Sequence, residues 1–186
     1  MEKNLNQTGG NIHRVAVIGP ESTGKTTLSK ALAEHFQTHW VPEYMRGYCQ
    51  ILWDEWQQTC RWEDLLPIAM GQMQSENRLA QTAHDVLICD TCLWELMVYA
   101  CLYFDKCPPQ LEAAAIASHY DTVFLTDIDV PWVADDLRDK PQEREKVLAL
   151  FKDFLNRNHI AFTVLSGPHE QRLQQAVNMI EKALIK

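Results

Sequence analysis

The chain contains no run of about 18 consecutive apolar residues, so no membrane-spanning helix is expected. Its opening residues, Met1 to Gly10, lack the apolar core of a secretion signal, and residues 1–11 are expected to be a disordered tail. Basic side chains are in the minority, with 17 Lys and Arg against 25 Asp and Glu and a net charge of −8. Such a surface repels a phosphodiester backbone. That argues against a nucleic-acid partner but still allows a local basic pocket for phosphates. Internal repeats and low-complexity blocks are absent. The six cysteines are Cys49, Cys60, Cys89, Cys92, Cys101 and Cys107, and Cys89 and Cys92 form a C-x-x-C with no second pair and no suitably spaced histidine. They read as reduced thiols in a cytoplasmic protein rather than as a zinc or redox site. The chain has 186 residues, 46% of them apolar, which is the size and composition of one domain with a real core.

The most informative segment is Gly19-Pro20-Glu21-Ser22-Thr23-Gly24-Lys25-Thr26, which fits G-x-x-x-x-G-K-[ST] at every required position. A β-branched run, His13 to Ile18, precedes it, and Thr27 to Phe36 follows with apolar residues at helical spacing. A strand, a glycine loop and a helix start place several backbone N–H groups at a positive dipole end. That nest suits the phosphates of ATP, cradled by Gly19, Glu21, Ser22, Thr23, Gly24, Lys25, Thr26 and Thr27. Lys25 is expected to reach the β- and γ-phosphates, and the Thr26 hydroxyl to bind Mg²⁺.

Beyond the loop, apolar runs alternate with helical patterns, which predicts an α/β fold with a parallel sheet covered on both faces. Strands are expected at about 13–18, 39–42, 85–90, 122–126 and 160–165. Helices are expected to fill most of 44–84, then 93–104, about 109–119, 142–157 and about 169–184. Ligands of such sheets bind at the carboxyl ends of the strands.

Phosphoryl transfer to an alcohol needs a phosphate cradle, Mg²⁺, a carboxylate near the attacking hydroxyl, and cations on the developing charge. Asp90 closes the third strand. It is placed to hold Mg²⁺ directly or through water, or to orient the acceptor, although an Asp there also caps a following helix. Glu43 ends the second strand and is the other candidate general base. Arg138, in the charged segment 127–146, is the candidate lid cation over the phosphates, with Arg144 and Lys140 behind it. Arg46 is expected either to pair with Glu43 or to clamp the acceptor. Rings cluster in the same part of the sequence (Trp40, Tyr44, Tyr48, Trp53, Trp56, Trp62, Trp94). They suit a flat, and especially a cationic, heterocycle. Tyr44 and Trp94 are taken as substrate contacts, and Gly167, after the last strand, as a backbone contact near the adenine.

These motifs together resemble the ribosylnicotinamide kinase domain found in the C-terminal part of the bacterial NAD-biosynthesis regulator. The resemblance rests on Gly19 to Leu28, Glu43-Tyr44-x-Arg46-x-Tyr48, Cys89-Asp90-Thr91 and Trp132-Val133-Ala134-Asp135-Asp136-Leu137-Arg138. It covers about residues 12–184 and implies a P-loop kinase fold with sheet order 2-3-1-4-5. It also implies a single kinase domain over 12–186 with a lid at about 127–146. The implied reaction is ATP-dependent phosphorylation of the 5′-hydroxyl of nicotinamide riboside, without the regulator's adenylylation or DNA binding. Cys92 stands where the family often carries a second Asp, and Pro42 where an aromatic residue often precedes Glu-Tyr. From the residues alone, another nucleoside or vitamin alcohol as acceptor, or a regulatory ATPase without one, stays open.

Overall fold

In the computed structural model, residues 5–137 and 141–185 are described. The elements run β1 (His13–Ile18), α1 (Lys25–His35), β2 (Trp40–Val41), α2 (Tyr44–Trp56), α3 (Leu65–Ala80), β3 (Val86–Asp90), α4 (Leu93–Phe104), α5 (Pro109–Ala117), β4 (Thr122–Thr126), α6 (Arg144–Arg157), β5 (Thr163–Leu165) and α7 (His169–Leu184). Short 3₁₀ turns at Trp62–Asp64 and Pro141–Glu143 precede α3 and α6. The sheet is parallel with order β2-β3-β1-β4-β5, as the family resemblance implied.

Period-two alternation in the strands builds the two faces. Val15 and Val17 point to one side with Val86, Ile88 and Phe124, against Leu28, Leu32 and Ala33 of α1 and Ala176, Val177 and Ile180 of α7. Ala16 and Ile18 point to the other, with Leu87, Cys89, Val123 and Leu125, under α3, α4, α5 and α6. Cys89 and Cys92 are buried free thiols in this second layer.

Two strand expectations were too long. The outer strands β2 and β5 keep only two and three ladder residues, since each has a pairing partner on one side alone. The expected disorder of residues 1–11 is corrected for residues 5–11. Leu5 is buried, Gln7 donates to Glu76, Asn77 bonds Asn6 and Thr8, and Arg14 donates to the carbonyls of Thr8 and Gly9. One apolar side chain and a set of α3 polar groups are enough to hold the segment down.

The register positions the site. Val17 lies level with Asp90 on β3, and β4 ends at Thr126 beside the start of the glycine loop. Gly19 has φ +145°, and a Cβ there would stand 2.4 Å from Thr126 Oγ1, so only glycine lets the loop turn off β1.

Candidate active site

The loop between β1 and α1 is held from beneath by hydroxyls. Thr23 Oγ1 donates to the Pro20 carbonyl at 2.7 Å and accepts a 2.7 Å hydrogen bond from Thr126 Oγ1, which also stands 3.2 Å from the Ile18 carbonyl. Gly24, at φ +83°, begins α1. A cavity of about 410 Å³ opens directly on this turn. Its wall includes every residue from Glu21 to Thr27, with Glu43, Arg46 and Glu95. Its far part is apolar and aromatic, with Trp53, Leu65, Leu96, Tyr99, Tyr103 and Phe104.

Lys25 is buried. Its ammonium donates to the Gly19 and Pro20 carbonyls at 2.8 and 3.0 Å and lies 3.2 Å from Glu95 Oε1. Burial opposes its charge, but Glu95, Glu43 and Asp90 together outweigh that and raise its pKa. Glu95 also accepts the Gly19 N–H at 3.2 Å, and burial lifts its carboxyl to about 8 against the pull of Lys25. Sequence reasoning missed Glu95, because it lies inside an otherwise apolar helix.

Asp90 is buried and outside the cavity wall, and neither carboxylate oxygen has a hydrogen-bond partner among the described residues. The Thr26 hydroxyl faces it without a well-formed hydrogen bond, and burial raises the carboxyl to about 6. An orphaned buried carboxylate beside a hydroxyl at a phosphate loop is a donor set that fits Mg²⁺.

Other expected residues fall elsewhere. Trp94 is corrected: it is buried, its indole N–H donates to the Ala115 carbonyl at 2.7 Å, and it packs on Tyr120 and Phe154 in the core. Tyr44 is set apart from the cavity in a different way. Its ring covers Gly71 of α3, where no side chain would fit beneath it, and it takes no part in the cavity wall. Of the other rings singled out, Trp53 alone lines the cavity. Trp56 is exposed, Trp62 meets Phe104 edge-on, Tyr48 donates to Asp64, and Trp40 lies under Lys30. Arg46 pairs with Asp135 rather than with Glu43. Arg138 and Lys140 lie outside the described residues.

Two arginines join the loop to the sheet's other connections. Arg144 donates to the Val130 and Ser22 carbonyls and stands over the Trp132 ring, while Ser22 Oγ accepts the Val133 N–H at 2.8 Å. Arg172 of α7, unmarked by any motif, is buried and donates to the carbonyls of Thr23, Gly167 and Asp127 and to the Asp129 carboxylate. Gly167 is outside the cavity wall, with its N–H committed to Asp129.

A family profile described as an AAA domain matches residues 14–172. The chain belongs to that family. Curated relatives of this AAA domain include the trifunctional NAD biosynthesis/regulator protein NadR of Salmonella typhimurium and of Escherichia coli. Each is 27% identical over 176 residues, which is 93% of the chain and 43% of the relative. The chain thus spans less than half the length of these relatives. Among solved structures, NadR protein in complex with NR superposes with TM-score 0.81 at 20% identity, covering 94% of the chain and 52% of that structure. NadR protein in complex with NAD and AMP-PNP gives TM-score 0.76 at 21% identity, with 93% and 50% covered. Thymidylate kinase from Candida albicans gives 0.67 at 14% identity, with 95% of both chains covered. These superpositions establish the P-loop kinase fold of the AAA domain described here, and the NadR matches bear out the family resemblance read from its motifs.

Proposed function

We propose that this chain transfers the γ-phosphoryl group of ATP to the 5′-hydroxyl of nicotinamide riboside, giving nicotinamide mononucleotide. The observation that carries the reading is a single cavity joining residues 21–27 to a ring-lined chamber with Glu43 and Glu95 at the junction. The likeness of 93% of the chain to NadR supports the choice of acceptor. So does the chemistry of the wall. Glu43 and Asp136 share the cavity wall with the aromatic side chains, which favours a flat cationic ring.

In this reading the backbone amides of the loop and the Lys25 ammonium hold the β- and γ-phosphates. Thr26 and Asp90 would hold Mg²⁺, which supplies charge neutralisation on the phosphate oxygens when bound. Glu43 accepts the proton of the attacking hydroxyl. It caps α2 just after β2 and lies on the cavity wall, whereas Asp90 is withdrawn from that wall. Arg46, held by Asp135, closes the acceptor side, and Arg138 is the lid cation. In this reading the protein works in the cytoplasm, on small molecules rather than nucleic acid.

An ADP-release assay with nicotinamide riboside, followed by chromatographic identification of the mononucleotide, tests the reading. Turnover above the ATP-only background is expected, and its absence would remove this acceptor. A panel of nucleosides and vitamin alcohols, ranked by kcat/KM, then finds the true one.

A further inference from the structure

Helix α4 turns Glu95, Tyr99 and Tyr103 into the cavity, at helical positions i, i+4 and i+8. The Tyr99 ring is held firmly. It stacks on Tyr103 with centroids 6.2 Å apart and meets Phe151 edge-on at 6.2 Å. Tyr99 is only 5% exposed, yet its hydroxyl has no hydrogen-bond partner among the described residues. Glu95, Glu21 and Glu43 are the charged groups around it, with the Tyr103 phenol. Burial and these carboxylates keep the phenol neutral, so it can donate. An unmade buried hydrogen bond costs free energy, and phenylalanine would fill the same space without it. On the cavity wall such a hydroxyl is free to donate to a ligand atom that enters beside it.

Its depth identifies that atom. Glu95 stands beside Lys25 at the phosphate end. Tyr99 lies one helical turn further on, about 5.4 Å, and Tyr103 another turn beyond. With a 5′-hydroxyl at the phosphate end, the sugar ring occupies the first of these turns and the base the second. We propose that the Tyr99 hydroxyl donates a hydrogen bond to the 2′- or 3′-hydroxyl of the acceptor ribose, and so separates ribonucleosides from their deoxy forms. This inference rests on the reading of the chain as a nucleoside kinase.

The test compares wild type and Tyr99→Phe with nicotinamide riboside and its 2′-deoxy and 3′-deoxy analogues. The ligand-free variant is expected to melt at or above the wild-type temperature. Its kcat/KM for the riboside is expected to fall by about 10- to 100-fold. One deoxy analogue, penalised by a similar factor in wild type, is expected to lose that penalty in the variant. Full wild-type efficiency of the variant, or an undiminished penalty for both analogues, overturns the subsite. If wild type does not phosphorylate the riboside, the functional reading falls separately. Other ribonucleosides and their deoxy forms are then compared by thermal shift on both proteins. A ribose-specific shift lost in the variant upholds the subsite, and no such difference overturns it.

Discussion

Lys25 Nζ lies 3.2 Å from Glu95 Oε1, with both side chains buried at the mouth of the glycine loop. The ammonium is therefore folded back on its own loop and a neighbouring helix, and a triphosphate must draw it away. Lys25→Ala is expected to lower kcat by at least about 10²- to 10³-fold through loss of charge on the transferred group. Glu95→Gln is expected to tighten ATP binding by about 3- to 10-fold, since it weakens the partner that holds the ammonium back from the phosphates. Calorimetry on both variants checks this. Weaker binding by Glu95→Gln would mean that the carboxylate aims the lysine instead.

The Asp90 carboxyl, raised by burial to about 6, makes metal-free stability depend on pH. The folded protein holds this proton more tightly than the unfolded chain. The contribution is therefore complete below about pH 4 and is lost as pH rises through about 6, a change of about 3 kcal/mol. With a chelator present, the stability difference between Asp90→Asn and wild type should grow across that interval in the variant's favour. Parallel unfolding curves for the two proteins at all pH values would exclude the effect. With Mg²⁺ and ATP added, the same variant is expected to lose about 10²-fold or more in kcat.

Arg172 ties the carbonyls of Thr23, Gly167 and Asp127 to one guanidinium. Arg172→Ala should cost about 3 kcal/mol of stability, measured by urea unfolding, and should weaken ATP binding, because Thr23 belongs to the phosphate loop. Arg172→Lys should recover little of either, since an ammonium cannot reproduce the planar fork.

Trp94→Phe offers a contrast. It should cost about 1 kcal/mol through the lost bond to Ala115 and leave the acceptor KM unchanged. A raised KM would return Trp94 to the acceptor site.

The contrast shows what the sequence made legible. The phosphate loop could be read because each of its residues is constrained: glycine where φ is positive, lysine where phosphate lies, threonine beside a strand-end carboxylate. The sheet order followed from the family resemblance, and the alternation of strands and helices agreed with it. Helix α4 could not be read in the same way. The run Leu93 to Phe104 is apolar apart from Glu95, so no ring in it stands out by pattern. Helical phase decides otherwise, turning 94 toward Ala115 and 95, 99 and 103 toward the ligand chamber. A lone glutamate followed by tyrosines four and eight residues later was the available signal. Arg172 gave none, because its partners are main-chain carbonyls brought together only by the fold.

The strap formed by Leu5, Gln7 and Thr8 lies against α3 at the rim where the parallel strands begin, the opposite end from the cavity. A spacer attached ahead of Leu5 would therefore depart from the far side of the molecule. The protein should tolerate tethering to a bead or sensor chip by that route with its mouth facing the bulk solution.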